Sequence, residues 1–387
     1  MTFENQEKKK TTSNEEVVSP STPSAMDTSL INLGHIEVLQ ILNEYGEVDS
    51  GLEPDYSDEQ LIKVYEAMVL ARVFDQRMLT MQRQGKMGTF APNIGQEACI
   101  IGQVAPLQKE DWFSPSYRSF GAQIWRGWPM EHLMRLWAGF HDGFPPPEGV
   151  NDLPFSIVIG SHVLPAVGIG MGMNYTEKNN CVVVNYGDGA SSQGAVSEAL
   201  NFAGVYNAPV VFICENNGWA ISTPTCKQTA NQILASHGLA HGMPSIRVDG
   251  NDILAMMSAT EEAATRARNG DGPTFIEAVT FRMSLHTTAD DPTVYRDEDE
   301  VKIWESRCPI KRFEIYLTNK GLLSTEKIAQ ILASCEEDVI QARDTFYAMK
   351  SADPSVIFDY LYEFLPPELQ EQRQEYLRRL QQKGVIE

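Results

Sequence analysis

An α/β fold with a parallel sheet flanked by helices is predicted from three features of the chain. Two short apolar runs, Cys181-Val182-Val183-Val184 and Pro209-Val210-Val211-Phe212-Ile213-Cys214, have the composition of strands buried on both faces. Each leads into a polar turn containing glycine: Gly187-Asp188-Gly189-Ala190 after the first, Glu215-Asn216-Asn217-Gly218-Trp219 after the second. Between them, roughly from Gly194 to Tyr206, lies a stretch of helical length. A strand-turn-helix-strand crossover sets the two strands parallel, with both turns at their carboxyl ends, where open α/β sheets bind ligands.

The remaining elements follow in chain order. Residues 1–30 are rich in Ser, Thr, Glu, Asn and Lys and poor in large apolar side chains, so a disordered tail is expected there. Residues 31–387 are expected to form a single domain with a helical C-terminal extension. Ile36 to Val48 reads as a short strand and turn. Ser57-Asp58-Glu59-Gln60 has the form of a capping box, and Leu61, Val64, Tyr65, Met68, Val69 and Met81 follow it at helical spacing, with Gly85 as the stop. Further helices are predicted from Gln96 and from Met130 to Phe140. Gly143-Phe144-Pro145-Pro146-Pro147 then forces an irregular connection. Ile157 to Gly160 enters a helix crowded with small residues, and Ile246–Gly250 and Thr274–Val279 read as strands separated by a helix from Asp252 to Arg268. Beyond Asp297 the pattern is helical and charged.

Composition narrows the function classes. A net charge of −21 opposes non-specific binding to nucleic acid or anionic membranes, and no apolar stretch has the length of a membrane span. The first arginine is Arg72, while Glu4, Glu7, Glu15 and Glu16 come early, the reverse of a mitochondrial transit peptide; cytoplasmic residence is expected. Six cysteines without Cys-x-x-Cys spacing read as buried free thiols.

Asp188 and Asn217, 29 positions apart, carry the chemistry. Glycines beside Asp188 allow a close backbone approach to a phosphate, and the N-terminus of a following helix favours an anion. Asp188 offers a hard oxygen ligand, Asn217 a neutral carbonyl oxygen and the Trp219 turn a backbone carbonyl, which leaves the rest of an octahedral Mg²⁺ shell to diphosphate and water. Gly168-Ile169-Gly170-Met171-Gly172 does not have the spacing of a dinucleotide fingerprint. Taken alone, Tyr117-Arg118 is either a surface pair or a diphosphate clamp, and His286 either surface decoration or an acid-base group.

From about His35 onward the chain resembles the α subunits of the thiamine-diphosphate-dependent E1 component of 2-oxo acid dehydrogenase complexes. The resemblance rests on the two turns together with Gly95-Gln96-Glu97-Ala98, Ser116-Tyr117-Arg118, Pro147-Glu148-Gly149-Val150-Asn151, Ala220-Ile221-Ser222-Thr223-Pro224 and His286-Thr287-Thr288-Ala289-Asp290-Asp291-Pro292. The pattern is most similar to the heterotetrameric pyruvate dehydrogenases of Gram-positive bacteria, with the branched-chain 2-oxo acid dehydrogenases next. A Gly-rich Ser-Met-His segment familiar from animal-type enzymes is absent between Gly139 and Gly160.

The resemblance implies a thiamine-diphosphate-binding fold and a site assembled from named residues. Gly187, Asp188, Gly189, Ala190, Asn217 and Trp219 would hold Mg²⁺ and the cofactor, Tyr117 and Arg118 its diphosphate, and Ile157 and Ile159 its aminopyrimidine ring. His286 would reach the cofactor as a charge donor or acid, on a loop through Tyr295 and Arg296 that orders on cofactor binding. His162, where relatives carry glutamine, is a candidate hydrogen-bond donor in the channel; His141 is a candidate facing the substrate. The implied reaction is oxidative decarboxylation of a 2-oxo acid with acyl transfer to a lipoylated E2 partner. The carboxylate that activates the cofactor would come from an E1 β subunit in an α2β2 assembly. The alternatives are a branched-chain substrate, another Mg²⁺-dependent diphosphate enzyme and a non-catalytic interaction subunit.

Overall fold

The computed structural model describes residues 36, 38–140, 143–350 and 353–385; the tail expected over 1–30 lies outside them. The strands are β1 (Val38–Leu39), β2 (Trp112–Ser114), β3 (Val182–Gly187), β4 (Val210–Asn216), β5 (Trp219–Ala220), β6 (Thr223–Pro224), β7 (Ser245–Asp249) and β8 (Thr274–Val279). Among the described residues six of them form one parallel sheet in the order β1-β7-β8-β4-β3-β2, and β5 and β6 form a small antiparallel hairpin. The helices are α1 (Asp58–Arg83), α2 (Glu97–Gly102), α3 (Phe120–Trp125), α4 (Met130–Trp137), α5 (Val163–Tyr175), α6 (Gly194–Val205), α7 (Thr225–Gln228), α8 (Ser236–Ala240), α9 (Ile253–Arg268), α10 (Glu298–Glu305), α11 (Pro309–Asn319), α12 (Thr325–Ala348) and α13 (Pro367–Gln382). No helix among the described residues is long and apolar enough to cross a membrane.

The strand alternation explains the layers. Val183, Val211, Ile213 and Ile276 pack with residues of α1, α2 and α9 in one core, while Val182, Val184, Val210, Phe212 and Phe275 pack with α5 and α6 on the opposite face. All of these strand side chains are buried, each worth about 1.5–3 kcal/mol relative to exposure. The even-numbered face of β3 therefore looks toward α5, and the odd-numbered face, with Asn185, toward α2.

Local signals in the sequence account for the helix boundaries. Ser57 and Gln60 form the reciprocal capping box that starts α1, with Gln60 N–H donating to Ser57 at 3.2 Å and Ser57 N–H to the Gln60 side chain at 2.9 Å. Asp252 caps α9, and its other carboxylate oxygen accepts from the backbone of Ile41 and Leu42 at 2.6 Å, which pins the edge strand β1 to the sheet.

Two boundaries and the burial of two cysteines differ from the expectation. The helix from Met130 stops at Trp137, because Gly139 turns left-handed with φ +92° before Phe140. The Gly-Asp-Gly turn does not lead directly into α6; a 3₁₀ turn over Asp188–Ser192 intervenes. Of the six thiols, Cys226 is exposed and Cys308 half-buried; the other four are buried.

Candidate active site

Gly187 on β3 stands opposite Glu215 on β4, so Asp188 and Asn217 leave neighbouring strand ends side by side. Between them opens a cavity of about 230 Å³. Of the residues expected in the site, Tyr117, Arg118, Ile159, His162, Gly187, Asp188, Gly189, Ala190, Asn217, Trp219 and His286 line it. Ile157 does not, and is largely exposed on the approach; His141 lies outside the described residues.

Asp188 is 1% exposed and has no ion-pair partner among the described residues. Its carboxylate accepts from the Thr225 hydroxyl at 3.3 Å, and its carbonyl is held by Gln228 and Ser191, both at 2.6 Å. Burial raises its pKa to about 6, opposed by the Thr225 hydrogen bond. A buried, unneutralised carboxylate is the donor that a divalent cation would compensate. The Asn217 carboxamide donates to Gln96 at 3.0 Å and accepts from the Trp219 N–H at 3.2 Å, which leaves one lone pair of its oxygen free. Among the described residues no three His, Cys, Asp or Glu side chains converge as a metal site; of the two acidic residues lining the cavity, Glu215 is engaged by two amides and Asp188 is the one on the Gly-Asp-Gly turn.

The two glycines of the turn play different parts. A Cβ on Gly189 would come within 2.8 Å of the Ala220 methyl, so the turns can approach only because it is glycine. A Cβ on Gly187 would meet nothing closer than the Glu215 carbonyl at 4.0 Å; no neighbour in the chain requires a glycine there, and the space belongs to the cavity.

Two buried guanidinium groups belong to this region: Arg118 lines the cavity, and Arg282 lies against His286, which also lines it. Arg118 is 5% exposed and Arg282 fully buried, and neither has a carboxylate partner among the described residues. Desolvation, reinforced by the Arg118 charge, lowers the Arg282 pKa to about 10. A buried arginine without a carboxylate partner in a cavity wall, as Arg118 is, makes an anion site. Arg282 was not anticipated from the sequence; the only signal was its position four residues before His286 in the segment leaving β8.

The arginines also fix the state of His286. Its Nδ1 lies 3.1 Å from Arg118 and 3.2 Å from Arg282, both of which can only donate, so Nδ1 accepts and the proton resides on Nε2. Desolvation and the two positive charges lower its pKa to about 4. With these contacts His286 presents an Nε2–H in its neutral form near pH 7, the form that suits the second of its two expected roles, that of an acid. Its loop is already tied down, by the His286 N–H to Asp290 at 2.8 Å, the Tyr295 hydroxyl to Asp290 at 2.5 Å, and Arg296 to the carbonyls of Arg282, Met283 and Ser284.

His162 departs from the expectation of a donor in the channel. Its Nε2 is 2.7 Å from the Asn185 carbonyl, an acceptor, so the ring N–H is engaged there and the buried Nδ1 presents a lone pair without a partner. Burial lowers its pKa, opposed by that hydrogen bond.

One segment, Phe90–Gln96, joins all these parts. Phe90 exchanges hydrogen bonds with Thr288, the Pro92 carbonyl accepts from Arg118, and the Asn93 N–H donates to buried Asp75. The Ile94 carbonyl accepts from Met283, the Gly95 carbonyl from the Thr280 hydroxyl, and Gln96 from Asn217. Gly95 has φ +98°, and a Cβ there would lie 2.6 Å from Met283 and 2.7 Å from the Phe281 carbonyl. Gly95→Ala is expected to cost at least about 2 kcal/mol in thermal or denaturant unfolding; wild-type stability would contradict this role for the segment.

Residues 65–355 match the family model described as dehydrogenase E1 component. The chain is 43% identical over 340 residues, 86% of its length and 97% of the relative's, to the pyruvate dehydrogenase E1 component subunit alpha of Acholeplasma laidlawii. It is 41% identical over 342 residues, 88% of its length and 92% of the relative's, to the protein of the same name from Staphylococcus aureus, and 40% identical over the same span to that of Staphylococcus epidermidis. The chain belongs to the dehydrogenase E1 component family.

Proposed function

We propose that the chain is the α subunit of a pyruvate dehydrogenase E1, which binds Mg²⁺–thiamine diphosphate for oxidative decarboxylation of pyruvate and reductive acetylation of a lipoyl group on E2, in the cytoplasm. The observation that carries this reading is the buried, unneutralised Asp188 lining one cavity with Arg118, a guanidinium without a carboxylate partner: a cation ligand and an anion clamp in one site, as a metal diphosphate requires. The names of the relatives supply the substrate, and no observation favours a branched-chain 2-oxo acid.

In this reading Asp188, Asn217 and the Trp219 carbonyl hold the metal, while Tyr117, Arg118 and the backbone around Gly189 hold the diphosphate. Ile159 presents its backbone to the aminopyrimidine ring, with Ile157 nearby. The cofactor, when bound, supplies the carbon nucleophile and electron sink of the reaction. Neutral His286 holds its Nε2 proton toward the reacting groups, with Arg118 and Arg282 fixing the ring. A part for His162 as acceptor through Nδ1 fits its free lone pair.

A cavity of about 230 Å³ falls below the ~300–1,000 Å³ of pockets that enclose a small molecule, and its apolar lip of Ile159 and Ile221 is exposed. This supports a site completed by a β subunit in an α2β2 assembly, which would also bring the carboxylate that activates the cofactor. Three results are expected. The isolated chain has negligible decarboxylase activity, the reconstituted α–β pair turns over pyruvate, and 3-methyl-2-oxobutanoate is a poorer substrate. Robust turnover by the isolated chain would refute the half-site, and preference for the branched acid would refute the substrate.

A further inference from the structure

We propose that the buried carboxyl of Glu215 is a positioning residue for diphosphate binding, acting on Tyr117 and Arg118 through Asn185. The proposal rests on the reading above and adds to it a residue pair with no direct part in holding metal or phosphate.

Glu215 and Asn185 end neighbouring strands and face the same side of the sheet, where the preceding positions are Ile213 and Val183. Two buried polar side chains thus replace hydrophobic ones, Glu215 in the cavity wall and Asn185 next to it, and burial of that kind is costly unless the groups are paired. The pairing is specific. One Glu215 oxygen accepts from the Asn185 amide at 2.6 Å and from the Gln103 amide at 3.0 Å. The Asn185 amide also donates to the Ser119 hydroxyl at 2.8 Å, and its carbonyl oxygen accepts the Ser116 N–H at 2.7 Å. The hydroxyls of Ser116 and Ser119 are themselves 3.0 Å apart.

Ser116 and Ser119 bracket Tyr117 and Arg118, so both ends of the turn that delivers the diphosphate residues are tied to one carboxamide. A carboxamide can flip. Glu215 presents an acceptor to Asn185, which forces the amide nitrogen toward Glu215 and the carbonyl oxygen toward the Ser116 N–H. Without Glu215 only the Ser116 N–H selects the orientation, the amide nitrogen loses its carboxylate acceptor, and the carboxamide is held less firmly against the turn.

Neutralisation of Arg118 is a different role, and the geometry does not support it. Glu215 forms no ion pair with Arg118, which instead donates to the Pro92 carbonyl and to His286, so its charge stays available to an anion. Burial raises the Glu215 pKa against the two amide donors and, more weakly, the Arg118 charge at longer range, and a protonated carboxyl would still accept through its carbonyl oxygen.

The test is calorimetric titration of the reconstituted α–β pair with Mg²⁺–thiamine diphosphate. Glu215→Ala and Asn185→Ala are each expected to weaken binding by about tenfold or more, the range seen when an outer-shell partner is lost, and the double variant no further than the weaker single one. Glu215→Gln keeps an acceptor for Asn185 and is expected to bind within about threefold of the unaltered pair. A residue needed only for stability would not show rescue by glutamine in a binding constant. Two alanine variants that bind like the unaltered pair, or a glutamine variant as weak as the alanine one, would overturn the proposal. Failure of the unaltered pair to bind would instead remove the parent reading, and this inference with it.

Discussion

Asp188→Ala is expected to abolish Mg²⁺-dependent binding of thiamine diphosphate while leaving the fold intact. Loss of an outer-shell partner costs ~10–100-fold in metal affinity, and loss of the one charged ligand should cost more than about a hundredfold. The fold survives because the side chain sits on a turn and its hydrogen bonds reach only the Thr225 hydroxyl and local backbone at the two turns. The cofactor-free protein should in fact gain from a neutral residue. With a folded pKa of about 6 against about 4 when unfolded, native Asp188 holds a proton that the unfolded chain has already released between those values. Stability therefore falls as pH rises from about 4 to 6, and at pH 7 the ionised group costs roughly 2–3 kcal/mol at ~1.4 kcal/mol per unit. Asp188→Asn is expected to recover part of that at pH 7 and nothing below pH 4. Cofactor binding has the opposite slope, weakening as pH drops below about 6, because the metal requires the carboxylate. Wild-type cofactor affinity in Asp188→Ala would remove this residue from the site.

His286→Ala is expected to keep most of the cofactor affinity, which depends on Asp188 and Arg118, and to lose turnover by ~10²–10⁴-fold, the usual contribution of a positioned proton donor. The pH dependence gives a further readout. A free histidine would change state near pH 6.5, but desolvation and two guanidinium groups hold His286 to about 4. Its neutral, Nε2-protonated form thus persists from pH 6 to 8, and any change in turnover assigned to it belongs below about pH 5. An unchanged rate of lipoyl acylation in His286→Ala would leave this residue a purely structural part.

The sheet was legible because its central strands are apolar runs bounded by turn residues, and α1 because Ser57 and Gln60 announce its cap. Asp188 and Asn217 were legible because one crossover unit brings them together from 29 positions apart. The rest of the site depends on contacts between segments far apart in the chain, which leave no local periodicity. Phe90–Gln96 meets residues more than a hundred positions away, and Arg282 reaches Trp219 and Ile221 across a turn whose course no local pattern reports. The states of His162 and His286 were illegible for a related reason: a tautomer is decided by what faces each ring nitrogen, and those neighbours are an Asn185 carbonyl in one case and two arginines in the other. Asn185 itself interrupts an apolar strand without any sign of its partner Glu215.

The central claim is that this chain anchors Mg²⁺–thiamine diphosphate but presents only part of its site. Calorimetric titration with thiamine diphosphate and Mg²⁺, run on the chain alone and on its pair with the β subunit, tests it directly. Tight, Mg²⁺-dependent binding by the pair and much weaker binding by the chain alone is the predicted result; no binding by the pair would contradict the account.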